Sequence, residues 1–192
     1  MRAGSAAARG LCAIAEARRG ASEGTVRMSF VSIAALYGFI GLLLASAWTD
    51  FKSFIIPNAF SAAILLLYPV YVLTAPAPVE WLGGLVVGAS ALAVGFGCFA
   101  LRVFGGGDAK LLAVTSLWAG PALVFDFLAL TALAGGVLVL VLYVRHRIAA
   151  APTLAMVLVT KPDSSFAKQP MPYGVAIALG GLYVAFTLLG IA

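Results

Sequence analysis

The chain has 192 residues, 63% of them hydrophobic and 10% charged, with a formal net charge of +5 and a mean hydropathy of +1.09. Soluble domains hold roughly 45–50% apolar residues, so water is excluded as the main solvent. An all-α bundle embedded in lipid is expected. Cys12 and Cys98 lie far apart with no CxxC pairing, and the lone His146 is flanked by Arg145 and Arg147, whose charge disfavours a neutral metal ligand. No disulfide, metal site, cofactor or nucleic-acid partner is expected.

Residues 1–27 carry Arg2, Arg9, Arg18, Arg19 and Arg27, and the first apolar run long enough for a signal-peptide core comes only after them. Apolar stretches of near-spanning length then cover 29–48, 59–75 and 81–103. The tract 109–144 would be about 54 Å long as one helix, too long for one crossing, so it must fold back. Gly120-Pro121 is the expected break, because proline restricts the residue before it and suits a helix start. The run 148–160 is too short to span and contains Pro152, which puts it on the membrane surface. A last span covers 172–191, giving a polytopic bundle of about six transmembrane helices.

Lys52, Arg102, Lys110, Arg145, Arg147, Lys161 and Lys168 fall in connections on one side of this bundle, and the opposite connections contain no lysine or arginine. Positive loops stay in the cytoplasm, which places Asp50 and Asp108 at the cytoplasmic face. The five arginines before Met28 contradict that rule. The expectation is that the natural start is Met28, with 1–27 a non-native or disordered extension and 28–192 one membrane domain.

Ionisable groups beside membrane helices are costly and therefore functional candidates. Glu80 and Asp126 belong to the outer side, where an acid at a helix start satisfies exposed amides and the dipole. Asp50 instead ends the first helix, where the dipole opposes a carboxylate, and Pro57-Asn58 opens the second. Asp108 follows Gly105, Gly106 and Gly107, which permit positive φ angles and close backbone approach. An aspartate there is also a good helix cap. Two carboxyl groups that share a proton can hydrolyse a peptide without a metal, one donating to the carbonyl while the other activates water.

The run Gly105-x-Gly107-Asp108 with Lys110, the earlier Asp50 with Ile56-Pro57-Asn58, and Pro172-Tyr173-Gly174 together resemble the prepilin peptidases, bacterial members of the GxGD aspartic proteases. The resemblance covers 29–192. It implies that Asp50 and Asp108 are the catalytic pair, and that Gly105, Gly106, Gly107, Lys110, Pro57 and Asn58 support them. It further implies that the positively charged leader of a prepilin or pseudopilin precursor is removed at the cytoplasmic surface of the bacterial inner membrane. The chain lacks the CxxC insertion of longer, methylating members and so looks like the short form accompanying Flp/Tad pili.

Lys110 could tune the charge of Asp108 or anchor to lipid headgroups, and Tyr173 and Gly174 are read as shaping the last helix rather than touching substrate. A small ion-coupled transporter subunit and a non-catalytic pilus assembly factor are the alternatives. Neither an internal repeat nor midplane acids favour the transporter.

Overall fold

The computed structural model describes residues 29–101, 105–150 and 172–190, with side chains described up to residue 145 of the second stretch. The arginine-rich leader with Met28, and Arg102, Lys161 and Lys168, lie outside the described residues, as do the side chains of His146 and Arg147. Among the described residues there are five helices and no strands: α1 (Phe30–Ser53), α2 (Asn58–Thr74), α3 (Trp81–Ala100), α4 (Gly106–Ala150) and α5 (Tyr173–Leu188).

Each helix buries one face by the three-or-four spacing of its residues. In α1 the buried face is Ser32, Ala35, Leu36, Phe39, Leu43, Ser46 and Asp50. The α1 helix does not stop where the hydropathy does, at Trp48. It ends at Phe54, which adopts a left-handed conformation (φ 52°, ψ 28°) and returns its N–H to Asp50 O at 2.8 Å. Pro57 precedes α2, whose buried face is Ser61, Ile64, Tyr68 and Tyr71. Buried Gly84, Gly88 and Gly95 let α3 lie close against the first part of α4. A methyl at Gly84 would meet Leu117 O at 2.9 Å, one at Gly88 would meet Leu117 Cβ at 3.0 Å, and one at Gly95 would meet Ala109 Cβ at 3.1 Å. Small residues bring helix backbones together in this way where lipid supplies no hydrophobic drive.

The expected break is present. Helix α4 is interrupted at Gly120, whose φ of 59° and ψ of −174° are not helical, with Pro121 next to it. The chain reverses there, because the two arms, 106–119 and 121–150, run past α5 in opposite directions. Thr115 of the first arm packs at Gly181, while Phe127 and Thr131 of the second pack at Gly180 and Ala176 follows at Gly135. The second arm continues as helix through residue 150, so 148–150 join that helix, and the rest of the expected surface segment, 151–160, lies outside the described residues.

By length and composition α1, α3 and α4 can cross a membrane, and α2 and α5 are shorter apolar helices of 17 and 16 residues. Thus three of the expected crossings meet the length of a full span, although the two arms of α4 make six helical segments from five helices.

The centre of the bundle is Trp118, on the first arm. Its ring stacks on Phe39 (centroids 4.4 Å apart, planes at 4°) and on Tyr71 (5.2 Å), and meets Tyr68 edge-on at 5.7 Å. Its Nε1–H donates to Ile64 O at 3.1 Å, so the buried indole proton is satisfied. This cluster pins α1, α2 and α4 together. Helix α5 fills the groove between α1 and α4, its own small residues Gly174, Ala178, Gly180, Gly181 and Ala185 all buried.

Candidate active site

The ends of α1, α3 and the second arm of α4 and the starts of α2, α4 and α5 gather at one end of the bundle, and Asp50 and Asp108 are there. Asp50 sits in the last turn of α1 and is 3% exposed. The dipole of its own helix opposes a carboxylate at this place. The start of α5 answers it: the free N–H of Gly174 donates to Asp50 Oδ2 at 2.7 Å, and the N–H of Val175 also reaches the carboxylate. The Gly174 amide is one that the first turn of a helix leaves without an intrahelical partner, while the Val175 N–H also donates to Pro172 O at 3.3 Å, and a helix start of this kind is a ready-made anion site. Gly174 is required for the approach, because a methyl there would lie 2.8 Å from both Asp50 Oδ2 and Ile56 Cδ1.

Asp108 lies in the first turn of α4 and is 8% exposed. Its carboxylate reaches back to the N–H of Gly105, which is one half of a capping box, glycine having no side chain to supply the other. The cap uses only part of the group: Asp108 Oδ1 is buried and has no hydrogen-bond partner among the described residues. A buried polar oxygen left without a donor calls for a functional explanation. Asp50 is near enough for its charge to act on Asp108, so the two helix ends bring both carboxyl groups into one site.

The glycines before Asp108 work by size. Positive φ among the described glycines occurs at Gly120 and Gly190, and Gly106 and Gly107 are already helical. The positive φ that Gly105–Gly107 permit is not used, and the close approach they permit is. A methyl at Gly107 would meet Ile56 Cβ at 3.1 Å, and one at Gly106 would meet the Phe99 ring at 3.3 Å. Ile56, itself buried, is wedged between Gly107 and Gly174 and sets the spacing of the α4 and α5 starts.

Lys110 makes a contact that was not expected of it. Its exposed Nζ donates to Asn58 Oδ1 at 3.0 Å, tying the start of α2 to α4 directly after Pro57. Glu80 occupies the N-cap position of α3 at the other end of the bundle but makes no side-chain capping bond, and Asp126 is exposed on the second arm; neither joins the pair. The role of Gly174 was missed in the sequence, where it was assigned only to helix initiation. Its proximity to Pro172 and the helix start was visible there, but the partner, Asp50, lies 124 residues earlier.

Two buried carboxyl groups, one held by backbone donors and one with a bare oxygen, can pass a proton between themselves and a bound water. Among the described residues no group of three or more His, Cys, Asp or Glu gathers to hold a metal ion. No curated protein and no solved structure matches the chain. The model of the Type IV leader peptidase family matches residues 31–140, a segment that contains both aspartates, the Pro57-Asn58 turn and the glycine run. With more than half of its length matched, the chain belongs to the type IV leader peptidase family, a family of proteases.

Proposed function

We propose that the protein is an aspartic endopeptidase that cleaves the leader from prepilin precursors of the Flp type at the cytoplasmic face of the bacterial inner membrane. The observation that carries this reading is the pair of buried carboxyl groups, Asp50 and Asp108, brought to one end of the bundle from two different helices. Family membership supports the peptidase chemistry, and the motif order supports the precursor as substrate.

In this mechanism the two aspartates have different tasks. Asp50, whose carboxylate accepts the N–H of Gly174, acts as the base and takes the proton of the attacking water. Asp108 holds the shared proton on its unpartnered oxygen and gives it to the carbonyl oxygen of the scissile bond. Water adds to the carbon to give a tetrahedral diol. The proton gained by Asp50 then goes to the leaving nitrogen as the C–N bond breaks, and Asp108 regains its own.

The test is co-expression with a leader-bearing Flp-type precursor, comparing wild type with Asp50→Asn and Asp108→Asn by precursor size. Asparagine keeps the shape and can still accept the backbone bonds but cannot do acid–base work, which is worth about 10²–10⁴-fold. Both variants are expected to insert normally and leave the precursor uncut. Continued cleavage by both variants would overturn the paired-carboxyl mechanism.

A further inference from the structure

Helices α2 and α3 both pack on the first arm of α4 but leave an open cleft of about 480 Å³ between them. Most of its wall is aliphatic: Ala62 and Leu65 from α2, Leu85, Ala89 and Leu92 from α3, and Ala113, Val114 and Leu117 along the floor. The polar lining residues, Asn58, Ser61 and Lys110, stand on the first turn of α2 and the second turn of α4, so the polarity is confined to the cleft's end nearest Asp50 and Asp108.

Three features of that end point to an anion. Lys110 gives one N–H to the neutral Asn58 Oδ1, which leaves two of its three donors and its whole charge uncompensated by that bond. The Ser61 side chain lines the cleft and is 5% exposed, and its Oγ has no hydrogen-bond partner among the described residues. Asn58, with its oxygen taken by Lys110, presents its NH₂ as donor. An ammonium, a hydroxyl and an amide thus line one end of an aliphatic trough that opens on the lipid-facing side, where Leu65, Leu85 and Leu92 are about half exposed.

We propose that this cleft is a binding site for one anionic phospholipid, its phosphate on Lys110, Ser61 and Asn58 and an acyl chain between α2 and α3. The volume falls in the range of ligand pockets, roughly 300–1,000 Å³. A bound phosphate bridges the start of α2 to α4 one helical turn from the contact of Ile56 with Gly107, and so braces that contact. The inference does not depend on the peptidase reading, because it concerns a different face of α4 and is read by binding.

The experiment is native mass spectrometry and thermal unfolding of the purified full chain in dodecyl maltoside. Dioleoyl phosphatidylglycerol is added, then dioleoyl phosphatidylcholine with the same chains, then inorganic phosphate. The wild type is expected to retain one phosphatidylglycerol in preference to phosphatidylcholine and to unfold at higher temperature with it. Lys110→Gln, which keeps a donor to Asn58 but no charge, should bind phosphatidylglycerol about tenfold or more weakly, and Lys110→Arg should keep the preference. Ala89→Trp, which fills the trough at an exposed position, should lose the lipid while remaining folded. Equal retention of the two lipids, undiminished binding by Lys110→Gln or Ala89→Trp, or equal stabilisation by inorganic phosphate alone would each overturn the proposal.

Discussion

Gly174 contributes no side chain, yet its amide and its lack of a Cβ both act on Asp50. The 2.7 Å bond from its N–H to Asp50 Oδ2 exists because nothing stands between the two backbones. Gly174→Ala should push the start of α5 off Asp50 and Ile56, and a hydrogen bond to a charged group is worth about 1.5–3 kcal/mol. Cleavage of the precursor, measured as kcat/KM, should fall about tenfold or more while helix content is kept. Gly135→Ala is the matched control, since its methyl would meet Ala176 Cβ at an ordinary 3.6 Å and change nothing measurable. Equal activity of the two variants would mean that the start of α5 does not position Asp50. Asp50 and Asp108 themselves could be read from the sequence, because an acid at the wrong end of a helix dipole and an acid after a glycine run are local patterns. The parts played by Gly174, Ile56 and the Lys110–Asn58 bond could not, because each depends on a contact between segments far apart in the chain. Of the two things a glycine run permits, close approach is used at Gly106 and Gly107 and left-handed backbone is not, a choice that the run itself does not encode.

At the scale of helices, the α3–α4 interface depends on smallness at particular turns. Gly84 and Gly97 belong to the same helix and differ only in what faces them. A methyl at Gly84 would lie 2.5 Å from the Tyr68 hydroxyl and 2.9 Å from Leu117 O, whereas nothing stands within 4 Å of one at Gly97. Gly84→Ala should therefore destabilise the bundle by about 1–3 kcal/mol, the usual cost of overpacking, and lower the thermal midpoint in detergent. Gly97→Ala should raise it slightly, because alanine is the better helix former by about 0.5–1 kcal/mol. If both substitutions stabilise alike, α3 does not pack on α4 through this glycine face. The break between the arms of α4 was legible, since a Gly-Pro pair in the middle of an apolar tract too long for one crossing admits few other readings. The sequence carried α1 to Asp50 but not to Ser53, because hydropathy reports where lipid contact stops and the helix ends where Phe54 closes the last hydrogen bond.

For the molecule as a whole, the two ends of the bundle differ in charge. The end with Asp50 and Asp108 also carries Lys52 and Lys110 and, at the return of the second arm of α4, Arg145; the connections at the other end, residues 75–80 and 120–121, hold no lysine or arginine. The sequence located this asymmetry because it needs only the alternation of the helices, and the reversal at Gly120 keeps that alternation intact. If positive connections stay in the cytoplasm, a cysteine at exposed Lys52 and one at exposed Ala77 should respond oppositely to a membrane-impermeant maleimide, in a background where Cys12 and Cys98 are replaced by serine. Intact spheroplasts should label Ala77→Cys and leave Lys52→Cys unlabelled, and lysis should make both reactive. The reverse pattern would turn the bundle over and put the two carboxyl groups outside the cell, where a protease acting on precursors at the cytoplasmic surface could not meet its substrate.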